Sequence, residues 1–120
     1  MRQISFSLTT PQFRARTKTV TRRLGWKNIK PGDRLMAVVK GMGLKKGDHP
    51  EKLGAIEVVS VQRDPLDWII DHCWRLGSTF RECEREGFPE MTEHQFVHMF
   101  CDHNDCDRRD EVTRIEFRYL

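Results

Sequence analysis

The sequence has no apolar run long enough to cross a bilayer as a helix, which takes roughly 18 residues or more. No segment repeats at a fixed period, so a solenoid or propeller is excluded. Met1 to Phe6 contains no long apolar stretch of the signal-peptide kind, and the chain is expected to stay in the cytoplasm. Without export, Cys73, Cys83, Cys101 and Cys106 are expected to be thiols rather than two disulfides. Acids are nearly missing from the first half. Residues 1–50 hold twelve Lys/Arg against Asp33 and Asp48 alone, a balance of +10. Residues 51–120 hold nine Lys/Arg against sixteen acids, a balance of −7. The net charge of +3 conceals that division, which points to one face suited to an anionic partner. The alternative is that the two halves interleave in space and neutralise each other.

What is present suits one α+β domain over residues 1–120, large enough to bury a core. Residues 2–8 alternate, with Ile4, Phe6 and Leu8 on one side, and predict a half-buried strand. Thr9-Thr10-Pro11 signals a helix start, predicting a short helix over about 11–17. Lys18 to Arg23 reads as an extended or turning segment. Residues 34–40 and 53–63 are rich in β-branched and apolar residues and predict two strands, with a glycine-rich loop over 41–52. Helical stretches are expected after Pro65, over Thr79 to Arg85, and from Thr92 onward through Phe96, Met99 and Phe100. Residues 101–111 read as a polar connector, and 112–120 as a last strand. The last strand returning to the first would make a small closed or nearly closed β-barrel, with the helical insert over one mouth.

Chemistry concentrates in Lys18-Thr19-Val20-Thr21-Arg22-Arg23, where three cations and two hydroxyls share six positions. Ammonium and guanidinium groups supply charge to an anion, and hydroxyls supply directed hydrogen bonds. The plain alternative is an edge strand guarded by charge. A regular strand points residues three apart to opposite faces. Lys18 and Thr21 therefore reach one ligand only if the backbone turns or bulges between them. Glu86 precedes Gly87-Phe88-Pro89, either as an exposed residue at a glycine-closed helix end or in a role that offsets its unfavourable place at a helix C-terminus. Trp26 is a base-stacking candidate or, by preference, a cap on the core. Cys101, His103 and Cys106 are metal-ligand types, but their spacing is not that of common zinc sites, and a polar loop is the preferred reading.

These residues together resemble the ASCH family of the PUA-like β-barrel superfamily. The resemblance runs from about residue 4 to 119 and rests on the 18–23 segment, on Pro31-Gly32-Asp33 leading into a strand, and on Glu86-Gly87-Phe88 leading into the helix with Phe96. It implies a PUA-like barrel with flanking helices and a cleft for RNA or a modified nucleobase. Some ASCH proteins look like small amidohydrolases that remove the acetyl group of N4-acetylcytidine. Carried onto this chain, the implied catalytic residues are Lys18, Thr21 and Glu86, and Arg23 falls on a motif arginine. Arg22, Arg23 and Trp26 are the candidate substrate-binding residues. Thr21 would supply the attacking hydroxyl and Lys18 would accept its proton. That requires Lys18 to be lowered from about 10.4 by burial or by Arg22 and Arg23. Glu86 would protonate the leaving nitrogen if its own carboxyl is raised, and backbone N–H groups or an arginine would hold the oxyanion. The insert around 65–85, with Trp68, Cys73, Trp74 and Cys83, departs from the smallest members and puts the small-substrate activity in question. A binding module using the same basic cleft on RNA is the alternative; a nuclease-like use and a zinc-stabilised interaction domain are further ones. No cofactor, membrane or obligate protein partner is expected.

Overall fold

The computed structural model describes residues 1–39, 49–72 and 82–120, with nothing said of the side chains of 71 and 72. The core of the molecule is a five-stranded mixed sheet in the order β1-β3-β4-β5-β2. The strands are β1 (Arg2–Ser5), β2 (Val20–Arg23), β3 (Arg34–Val39), β4 (Glu51–Pro65) and β5 (Glu111–Tyr119). Only the β1–β3 pair is parallel; the other neighbours run antiparallel. The α+β class expected from the sequence holds. The closed barrel is not what forms: β5 pairs with β4 and β2, not with β1, so β1 and β2 remain the two edges. A side chain ties those edges instead, through the Arg23 Nη2 donated to the Ser5 carbonyl at 2.5 Å.

Several boundaries differ from the sequence reading for local reasons. β1 stops at Ser5, where a 3₁₀ turn over Ser7–Thr9 begins, so Ile4 and Phe6 are buried while Leu8 is exposed. The following helix α1 is Thr10–Arg14, shorter than 11–17, and Thr10 Oγ1 donates back to the Phe6 carbonyl at 2.9 Å. β4 begins at Glu51, inside the stretch read as loop, and shifts register against β5 between Val58 and Ser60. α2 is Trp68–His72 and α3 is Glu82–Arg85. Residues 73–81, which include Cys73, Trp74 and the first three residues of the expected second helical stretch, lie outside the described residues, as does most of the 41–52 loop.

Helix α4 (Glu93–Asn104) starts at a capping box. Gln95 N–H donates to Thr92 Oγ1, and the Gln95 side chain accepts from Thr92 N–H. It consumes the first four residues of the expected polar connector and ends where Asp105 turns left-handed. Phe96, Val97 and Phe100 pack with Leu66, Ile69, Cys83 and Val112 into one apolar cluster. Ile4, Phe6, Phe13, Leu35, Ile56, Ile115 and Phe117 form another. Phe6 of this cluster and Phe96 and Phe100 of the other border one cavity.

Helix α3 closes on Gly87. Its N–H donates to the Glu84 carbonyl and the Phe88 N–H to the Cys83 carbonyl, a Schellman closure with glycine in the left-handed position at φ 99°. A Cβ at Gly87 would lie 3.2 Å from Gln12 Cβ and Cγ. Gly87→Ala is therefore expected to destabilise by about 1–2 kcal/mol, as a shift of the urea midpoint, because strain and crowding act together.

Candidate functional site

Strand β2 is an edge strand, as the plain alternative had it, but it is not an exposed one. Val20, Thr21 and Arg22 are buried, and Arg23 is partly so. Its pairing with β5 begins at Val20, so Lys18 precedes the ladder. Thr19 anchors that entry by donating its N–H to the Arg85 carbonyl, while its own carbonyl accepts from Phe117 N–H. Lys18, Thr21, Arg22 and Arg23 all border one cavity of about 160 Å³, together with Glu86. An edge strand permits this, since side chains from both of its faces can turn around the open edge. Lys18 and Thr21 thus both reach the cavity although Thr19 and Val20 bond to β5.

Lys18 is 3% exposed, and its ammonium is fixed by Glu86 twice. It donates to the Glu86 carbonyl at 2.6 Å and to Oε1 at 3.2 Å. The carbonyl is one of those left unpaired at a helix C-terminus, so Lys18 satisfies the end of α3 as well as the carboxylate. The other carboxylate oxygen, Oε2, accepts from Arg22 Nη1 at 2.7 Å. Glu86 is buried, not the exposed helix-end residue of the simpler reading. Burial pushes Lys18 down to about 8; Glu86 opposes the fall, and Arg23 and Arg22 add to it. The lowering that amide chemistry requires is therefore present, with burial as its main cause.

That shift has a stability signature. Between about 8 and about 10.5 the unfolded chain keeps the Lys18 proton while the folded chain has released it, so wild-type stability gains from this group as pH rises through that window. The stability gap between wild type and Lys18→Met should move toward wild type by about 3 kcal/mol across it. Urea titrations of both proteins at pH 7.5 and 10.5 measure this, and a constant gap contradicts it.

Two residues unnoticed in the sequence complete the charge network. Glu82, one helical turn before Glu86, accepts from Arg22 Nη2 at 3.1 Å and from Arg114 Nε at 2.6 Å. Burial pushes its carboxyl up, but the Arg114 hydrogen bond and the charges of Arg22, Arg114 and Arg85 outweigh this and hold it below its ordinary value. The i,i+4 spacing of Glu82 and Glu86 on one helix face was the available signal. Arg114 looked like the solvent side of a half-buried last strand; in fact Val112 to Ile115 are all buried, because both faces of β5 are covered there.

Thr21 Oγ1 accepts from Arg23 Nε at 3.0 Å. No hydrogen bond joins Lys18 to Thr21. Phe6, Phe88, Phe96, Met99 and Phe100 also border the cavity, with His103 and Asn104, and the Phe6 ring lies beside the cations, 5.0 Å from the Arg23 guanidinium. Of the residues singled out in the sequence, Trp26 stays apart: it packs against the core with the Arg2 guanidinium 3.8 Å over its ring, and does not border the cavity. The metal candidates do not assemble. His103 borders the cavity, whereas Cys106 N–H donates to the Cys101 carbonyl, and burial and the neighbouring Cys101 push the Cys106 thiol up to about 11. Among the described residues, no three His, Cys, Asp or Glu side chains group as metal ligands, and Cys101 and Cys106 are thiols. No helix among them is long and apolar enough to cross a membrane.

Two solved structures resemble the whole chain. The hypothetical protein PH0355 superposes with a TM-score of 0.62 at 15% identity, covering 100% of both chains. Protein EF3133 from Enterococcus faecalis V583, assigned to the family model DUF984, superposes with a TM-score of 0.61 at 10% identity over 95% of this chain and 71% of its own. The chain shares their fold. At these identities the likeness speaks to the fold alone. No family model and no curated protein sequence matches the chain.

Proposed function

We propose that this chain is an ASCH-type domain of the PUA-like superfamily that hydrolyses the acyl amide of N4-acetylcytidine or a related modified nucleoside. The observation that carries the reading is the meeting of Lys18, Thr21, Arg22, Arg23 and Glu86 on one small cavity that phenylalanines also border. A void of about 150 Å³ accepts a benzene molecule, so about 160 Å³ suits one pyrimidine ring rather than a run of nucleotides. The phenylalanines would take the ring face, and the polar groups its heteroatoms and amide.

In this mechanism Thr21 Oγ1 attacks the acetyl carbonyl and Lys18, in its neutral form, takes the hydroxyl proton. Substrate entry has to bring Lys18 and Thr21 within reach of each other, since no hydrogen bond links them beforehand. The C–N bond then breaks as the Lys18 ammonium passes that proton to the amine nitrogen, leaving an acyl ester on Thr21 that water cleaves to acetate. Arg23 Nε, already donating to Oγ1, stabilises negative charge building there. Glu86 holds Lys18 and lies at the same cavity, as the resemblance has it for a third catalytic residue.

Incubation of the purified protein with N4-acetylcytidine, with cytidine release followed by chromatography, tests the proposal. Cytidine formation by wild type that Thr21→Val abolishes supports it. Absence of turnover at high enzyme concentration, with RNA affinity that falls steeply with salt, would establish the non-catalytic RNA-binding alternative.

A further inference from the structure

Three cations border the cavity, Lys18, Arg22 and Arg23, with Glu86 as their carboxylate; behind them Glu82 pairs with Arg22 and Arg114. The adjoining pair of Arg85 with Glu116 is neutral in itself. With Lys18 protonated, these groups, among the described residues, carry four positive charges against two negative ones, and the Glu86 charge that acts on Arg23 is shared with Lys18 and Arg22. Burial makes such a surplus costly, and it is localised. Arg22 and Arg114 each touch a carboxylate, but Arg23 donates only to neutral oxygens, those of Thr21 at 3.0 Å and the Ser5 carbonyl at 2.5 Å. Among the described residues, its hydrogen bonds are made by Nε and Nη2 alone. The guanidinium stands on the cavity, 5.0 Å from the centre of the Phe6 ring.

We infer that the cavity contains a subsite for a small carboxylate, with Arg23 and Lys18 as its charged donors and the phenylalanines receiving a short apolar tail. The subsite itself follows from the charge surplus; its natural occupant rests on the proposed hydrolysis. Cleavage of the acyl ester by water breaks the bond between Thr21 Oγ1 and the acyl carbon. It returns a proton to Oγ1 and releases acetate with a further proton. In the two tetrahedral oxyanions and in acetate the acyl oxygen is negative, whereas in the starting amide and in the acyl ester it is neutral. The surplus charge thus favours the negative species over the substrate, and acetate inhibits competitively.

The test is titration of the full chain with sodium acetate and, separately, acetamide, followed by backbone NMR at pH 7 against a chloride-matched control. Acetate is expected to move the resonances of Thr21, Arg23 and Phe96 saturably. Acetamide has the same shape without the charge and should bind about tenfold more weakly or worse, as should acetate to Arg23→Gln. Equal binding of acetate and acetamide overturns the inference, as does unchanged acetate affinity in a folded Arg23→Gln, or no acetate shift beyond the chloride control. If Arg23→Gln does not fold, the comparison of acetate with acetamide on wild type decides alone. Acetate binding without turnover of N4-acetylcytidine leaves the subsite standing and removes the amide reading; turnover without acetate binding does the reverse.

Discussion

Glu86→Ala is expected to lower the stability of the protein by about 3–5 kcal/mol, the cost of leaving buried ions without their partner. The change strips both carboxylate oxygens from Lys18 and Arg22, which are 3% and 7% exposed and have little water to turn to. Arg22 keeps Glu82, but Lys18 keeps only the backbone carbonyl of residue 86. Glu86→Gln, which retains an acceptor oxygen without the charge, should cost less. Urea denaturation of the three proteins at pH 7 measures the series. A loss below about 1 kcal/mol for Glu86→Ala would mean that the cluster is solvated and that its ion pairs are of the weak surface kind.

The second large effect is on turnover. Lys18→Met removes the proton acceptor of the proposed reaction while keeping a stem of similar length. Removal of a general base typically lowers kcat by about 10²–10⁴, and the upper part of that range is expected here because, among the described residues, Thr21 Oγ1 hydrogen-bonds to no carboxylate or imidazole that could take over. Wild-type turnover should rise with pH and level off above about 8, as Lys18 loses its proton. A rate that is flat from pH 6 to 9, or a Lys18→Met variant within tenfold of wild type, contradicts the assignment. The folded state of that variant is checked by its thermal transition, so that lost activity is not confused with lost structure.

The sequence disclosed the strands of the sheet better than their arrangement. The β-branched run 53–63 and the alternation in 112–120 are local signals, and both became strands. Which strand neighbours which depends on distant pairing, so the return of β5 to β1, and with it barrel closure, was misjudged. The site shows the same division. Lys18, Thr21, Arg22, Arg23 and Glu86 were legible because unusual residue types cluster or flank a glycine stop. Glu82 and Arg114 were not, because each looks like an ordinary surface charge until tertiary packing buries them against each other. Phe6 and Phe100 read as apolar faces of a strand and a helix, and nothing local separates a core phenylalanine from one that borders a cavity. Trp26 went the other way: its nearness in sequence to the basic segment did not become nearness in space.

The central claim is that the cavity bordered by Lys18, Thr21 and Glu86 receives an acylated cytosine. The most direct test is a crystal structure of the Lys18→Met variant soaked with N4-acetylcytidine, in which binding persists without turnover. The account predicts one nucleoside with its ring against the phenylalanines, and its acetyl carbonyl within reach of Thr21 Oγ1. A nucleoside bound elsewhere, or a cavity left empty at a concentration that saturates the protein in solution, would contradict it.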